Sequence, residues 1–200
     1  MPLPVLKAIF RVVGWLFAGF AALILLGVGY SSVYGPIKAL CWHCVHGNKV
    51  VVDGHTFTLP LLWYAHLDAQ YHSTEIVRGR DDFFGLMDSG SISIGKLQGY
   101  SVMDDKGAVA LQQSVIDSFH QQALNHPYHP RPGIFPLDMQ MMFIPTRSMK
   151  FVCRYDANEI KQPKSYRFRA CFASGTDWSV GLAGTPKEIA VAEQILASAQ

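Results

Sequence analysis

The sequence predicts an α+β protein, with one N-terminal transmembrane helix followed by an antiparallel sheet with packed helices. Three observations predict it. An uncharged run, VVGWLFAGFAALILLGVGY, occupies Val12 to Tyr30. From Asn48 onwards, short runs with strand character recur between turn signals. Two amphipathic helical patterns stand among them, one starting at Gly107 and one at the C-terminus.

Length and composition set the limits. Two hundred residues accommodate one anchor and one domain. Half of the residues are hydrophobic and 16% are charged, below the roughly 25% charged residues of soluble domains. The net charge of +2 creates no field suited to nucleic acid or to a strongly anionic substrate. No block of like charge, internal repeat or low-complexity tract is visible.

At 1.5 Å per residue the Val12 to Tyr30 run spans about 28 Å, close to the hydrocarbon thickness of a bilayer. A buried core helix is usually shorter and less uniformly apolar. A signal peptide has an apolar region of only about 7–15 residues, and GVGYSSVYG makes a poor cleavage site. The run therefore reads as an uncleaved, single-pass anchor. Lys7, Arg11 and the amino terminus precede it, whereas Lys38 and Lys49 follow at greater distance. The positive-inside rule then puts the N-terminus in the cytoplasm and the rest outside, as in a cell inner-membrane protein with a periplasmic domain. Gly14, Ala18 and Ala22 recur every fourth residue, a face that lets another helix approach closely in lipid. That face suggests an integral membrane protein as partner. The expected organisation is residues 1–34 as cytoplasmic tail and anchor, 35–47 as a linker with a C-x-x-C, and 48–200 as the extracytoplasmic α+β domain.

The linker carries CWHCVH, residues 41 to 46. A c-type haem needs a histidine directly after the second cysteine, where Val45 stands instead. A thioredoxin-type C-x-x-C needs a strand before it and a helix starting at it, and YGPIKAL followed by HGNKVVV does not provide that frame. Cys41, His43, Cys44 and His46 are candidate zinc or copper ligands. No second C-x-x-C completes the set, and His126 and His129 would join only if the fold brought them close. In an oxidising compartment, four cysteines are most simply two disulfides, for which three connectivities exist. The expected pairing is Cys153 with Cys171, across a hairpin, and Cys41 with Cys44. No cofactor is expected.

The domain reads in order. Val50 to Val52 and His55 to Leu59 form a hairpin about Asp53-Gly54, and Pro60 ends its second strand. Trp63 is a core anchor. SISIGKL, from Ser91, alternates as a strand. In GAVALQQSVIDSFHQQAL, residues Val109, Leu111, Val115, Ile116 and Phe119 fall near one helical face. NHPYHPRPGIFPLD is a loop. MKFVCRYD and YRFRACFAS are strands, the latter with Tyr166, Phe168, Ala170 and Phe172 on one side and Arg167 and Arg169 on the other. DWSVGLAG is a further strand. The closing helix has Thr185 as N-cap, Pro186 at its first position and Glu188 completing a capping box. Its residues Ile189, Ala192, Leu196 and Ala199 can face a sheet.

HTFTLPLLWYA, SISIGKL before an amphipathic helix, and YRFRACFASGTDWSVGLAGTPKEIAVAEQILASA together resemble the PsbP-like fold and envelope lipoproteins of the DcrB kind, over residues 48 to 198. The resemblance implies an accessory or binding role on a membrane complex and transfers no functional residue. On that comparison the segment from His126 to Pro145 would be an insertion.

No nucleophile elbow, phosphate loop or H-E-x-x-H is present. Asp81-Asp82 and Asp104-Asp105 read as turns or helix starts. Met139 to Met142 contain thioethers able to bind copper(I), although irregular packing is the commoner use of methionine. Arg154, Arg167 and Arg169 read as a solvated sheet face, with a basic patch for an acidic partner as the alternative. The functional expectation is a membrane-anchored, non-catalytic accessory or interaction subunit of a larger membrane complex. The alternative is an envelope thiol-redox or metal-handling protein using CWHCVH.

Overall fold

The apolar run does form helix, but in a longer element than expected. In the computed structural model, which describes residues 3–68, 73–78, 90–97, 102–125, 138–161 and 166–200, helix α1 spans Leu3–His46, 44 residues without a break. Pro36 lies inside it and removes one helical hydrogen bond. Burial of Ala39 and the packing of Trp42 on the domain core, in the turns that follow, offset that loss. The segments expected as anchor and linker are thus one helix.

Among the described residues, no helix is long and apolar enough to cross a membrane. This corrects the expected transmembrane helix.

Beyond α1 the architecture is α+β. Strands β1 (Lys49–Val52) and β2 (His55–Thr58) form a two-stranded antiparallel sheet, with Val52 opposite His55. Asp53 and Gly54 both take positive φ, 46° and 85°, the backbone that a two-residue turn of this hand requires. A second, seven-stranded sheet contains β3 (Trp63–Asp68), β4 (Ser73–Arg78), β5 (Ser91–Lys96), β6 (Met139–Pro145), β7 (Lys150–Asp156), β8 (Arg167–Ala173) and β9 (Trp178–Gly184). Its order is β3-β4-β5-β9-β8-β7-β6, and each neighbouring pair is antiparallel. Helix α2 (Asp105–Asn125) lies between β5 and β6 in sequence, and α3 (Pro186–Ala197) follows β9.

Strand alternation builds three layers. In β7, Phe151 and Cys153 point into the main core with Ile189, Ala192, Ile195 and Leu196 of α3 and Phe57 of β2. Val152 points the other way, into a smaller cluster with Ala108 of α2 and Phe172 of β8. Helix α3 and the β1–β2 hairpin therefore cover one face of the sheet, and α2 covers the other. Gln200 exchanges two backbone hydrogen bonds with Thr56, each 3.1 Å, so the C-terminal residue ties the hairpin to the end of α3.

Two strands depart from expectation. Met139–Pro145, expected within an insertion, is the edge strand β6, paired along its length with β7. Its methionines pack: Met142 lies against the main core and Met141 against the smaller cluster. Strand β4, for which the sequence offered no reading, joins β3 to β5 through buried Ile76.

Candidate functional site

The last turns of α1 fasten the helix to the domain, and CWHCVH forms them. Trp42 packs against the main core. His43 places Nδ1 2.7 Å from the Gly47 carbonyl oxygen, and Nε2 2.9 Å from that of Trp63 and 3.1 Å from that of Pro60. His46 Nδ1 lies 3.0 Å from the Trp42 carbonyl oxygen, and its ring stacks on Trp42 at 4.7 Å. Gly47, at φ 72°, donates its N–H to the His43 carbonyl at 2.9 Å, ending the helix in the left-handed conformation that glycine tolerates. One turn earlier, the Lys38 ammonium sits 5.1 Å from the centre of the Tyr64 ring. The helix is therefore held to β3 and the turn before it by Lys38 and His43, and to the main core by Trp42.

A ring nitrogen that bonds a carbonyl oxygen must carry a proton and has no lone pair for a metal. Both nitrogens of His43 and one of His46 lie within hydrogen-bond distance of carbonyls, so one nitrogen of each ring is spent as a donor. Among the described residues, no group of three or more histidine, cysteine or carboxylate side chains could hold a metal ion. His126 and His129 lie outside the described residues.

The expected bond between Cys41 and Cys44 is not formed. Both are free and exposed, three residues apart on α1. Helical geometry keeps Cβ atoms at that spacing about 5–6 Å apart, beyond the roughly 3.5–4.5 Å of a disulfide. The bond between Cys153 and Cys171 is present. Those two residues are directly opposed in the β7–β8 register and fully inside the core.

N-terminal to this junction, α1 presents apolar side chains on all sides. Trp15, Leu16, Phe17, Phe20, Leu23, Leu25 and Leu26 are each between 64% and 76% exposed. Gly14, Ala18 and Ala22 are also exposed, and a Cβ added at Gly14 would meet nothing within 4 Å. The described part of the chain leaves this stretch bare.

The arginines of the C-terminal strands do not form a solvated basic face. Arg169 is 5% exposed. Its Nη2 lies 2.6 Å from Glu159 and its Nε 3.3 Å from Glu193 of α3. The side of β8 that carries it also carries Cys171 and Ala173 into the main core, whereas Phe168 on the other side is 57% exposed. Arg154 donates from Nη1 to Gln112 Oε1 at 2.9 Å, and burial pushes its pKa down. Gln112, fully buried on α2, donates from Nε2 to the carbonyls of Val152 and Ala170. These polar groups lock the layers together.

The acid pairs are structural where they are described. Asp104 accepts the Gly107 N–H at 2.7 Å, capping α2. Asp105 takes a hydrogen bond from the Lys150 ammonium at 2.6 Å, which holds its carboxyl below the usual range. Asp81 and Asp82 lie outside the described residues. Asp53 accepts from Trp178 Nε1 at 3.1 Å and sits 3.2 Å from Lys96; the indole bond, more than the ammonium, lowers its pKa. The sequence pointed to none of the three strongest junctions, namely His43 on the Pro60–Trp63 turn, Arg169 on Glu159, and Gln112 on the β7–β8 carbonyls. Their partners lie 10 to 58 residues away in the chain.

No family model matches the chain, and no curated protein matches it.

Proposed function

We propose that the chain is a membrane-associated, non-catalytic accessory subunit, which holds its α+β domain against a larger assembly through the apolar half of α1. The observation that carries this reading is the exposure of Trp15 to Leu26 around the whole helix. Contiguous apolar surface beyond a few hundred Å² marks an interaction site on a protein in water. The domain supports the same reading. Its core is closed by its own layers, and its buried ionisable groups are spent on one another. One surface depression among the described residues is an open strip along α2, lined by Ala110, Gln113, Ser114, Asp117, Ser118 and Gln121, with a single ionisable side chain. The buried Cys153–Cys171 bond supports a domain that lies outside the cytoplasm, where disulfides persist. The PsbP-like resemblance points to the same accessory role.

The test is fractionation of the full chain from its own cells. The chain should sediment with the membranes, and mild detergent should release it together with stable partners. Recovery in the soluble fraction as a monomer would overturn the reading.

A further inference from the structure

The two free cysteines sit where a covalent change would be felt. Cys41 and Cys44 are exposed on one side of α1, because residues three apart on a helix are neighbours. The remaining two of the four cysteines are bonded and 0% and 1% exposed, so the thiol chemistry open to other molecules belongs to this pair. Between them stand Trp42 and His43, the residues that seat α1 on the core and on the Pro60–Trp63 turn.

We infer that Cys41 and Cys44 form a reactive dithiol, oxidised to an intramolecular disulfide by exchange with the exposed disulfide of a second molecule, and that the bond loosens the seating of α1 on the domain. One thiolate attacks a sulfur of the incoming disulfide, giving a mixed disulfide and releasing one thiol. The second thiolate attacks the cysteine sulfur of that mixed disulfide, closing the Cys41–Cys44 bond and releasing a second thiol. Two electrons and two protons pass from the pair to the incoming disulfide.

Closure has a structural consequence. A helix sets the two Cβ atoms about 5–6 Å apart, and a disulfide needs roughly 3.5–4.5 Å. The turn must therefore tighten by about 1–2 Å, and Trp42 and His43 lie on that turn. Position favours the movement, because α1 ends at His46 and the carbonyls of its last turn have no further helical partners. The bond most exposed to the change is Gly47 N–H to the His43 carbonyl. This inference goes beyond the accessory-subunit reading and does not depend on what covers the apolar half of α1.

The experiment treats the reduced full chain with oxidised glutathione, then reads peptide masses without reduction and amide hydrogen exchange at Gly47. The expected result is loss of two hydrogens from the peptide holding Cys41 and Cys44, with exchange at Gly47 faster by about tenfold or more. Cys41→Ser and Cys44→Ser should each stop at a single glutathione adduct. The double variant should remain unmodified, with slow exchange at Gly47. Glutathione adducts persisting on both cysteines, failure of the pair to react, or ring closure without faster exchange at Gly47 would each overturn the inference.

Discussion

Arg169 and Glu159 meet inside the domain, with Nη2 2.6 Å from Oε1 and side chains only 6% and 8% exposed. The guanidinium also reaches Glu193 and lies over the Tyr155 ring. Removing one partner of such a pair strands a buried charge. Glu159→Gln should therefore destabilise the domain by about 3–5 kcal/mol. Glu159→Leu combined with Arg169→Met should cost less than Glu159→Leu alone, since the charge left without its partner is then Glu193, which is 27% exposed, and not the buried guanidinium. Urea unfolding of the three variants checks both statements.

Cys153 and Cys171 are 18 residues apart in sequence and opposed in the β7–β8 register. A loop of that size gives a disulfide worth about 3 kcal/mol on the chain-entropy account. Cys153→Ser should lower stability by roughly 2–4 kcal/mol. Identical melting of wild type and variant under oxidising conditions would show that the bond does not contribute.

Glu188 is 4% exposed. Burial pushes its pKa up, but the Thr185 N–H at 2.9 Å, the Thr185 hydroxyl at 2.7 Å and Arg78 at 2.7 Å outweigh burial and bring it below the usual value. The folded pKa is thus lower than the unfolded one, which is about 4.3. Its stabilisation is fully present above the unfolded value and is lost as pH falls through the folded one. Glu188→Gln should be clearly less stable than wild type near neutral pH, and the two curves should converge in the acid range below about pH 4. A stability difference that stays constant across that range would contradict the assignment.

Gly14, Ala18 and Ala22 give α1 one face without bulk. If a partner helix packs there, Ala18→Leu forces the two backbones apart. Overfilling a packed contact costs about 1–3 kcal/mol, which is roughly a five- to hundredfold weaker association. The domain should melt as wild type does, because its core lies elsewhere. Leu25→Ile is the control and should be neutral. Co-purification of Ala18→Leu with the same partners at wild-type yield would show that the face is not used.

Local chemistry made much of the domain legible. Asp53-Gly54 announced the β1–β2 hairpin, and Thr185, Pro186 and Glu188 announced α3, because turn and cap signals act within a few residues. Ile189, Ala192, Leu196 and Ala199 face the core as their spacing indicates. What stayed hidden depends on partners remote in sequence. Arginine at positions 167 and 169 reads as a solvated face, yet Glu159 and Glu193 converge on Arg169 from two other elements. The joint between CWHCVH and the domain was hidden because carbonyls of the Pro60–Trp63 turn, invisible as a motif, hold His43. Residues 35–47 read as a linker, whereas packing of Ala39 and Trp42 carries the helix through them.

The central claim is that the bare apolar half of α1 is the working surface. The most direct measurement is photo-crosslinking in the protein's own cells, with a photoreactive side chain placed one position at a time at Leu16, Phe20 and Leu23, and at Leu67 and Phe143, which are exposed on the domain. The account predicts strong crosslinks from the α1 positions to lipid and to one recurring partner protein, and weaker ones from Leu67 and Phe143. Crosslinks confined to the domain positions, with α1 silent, would contradict it.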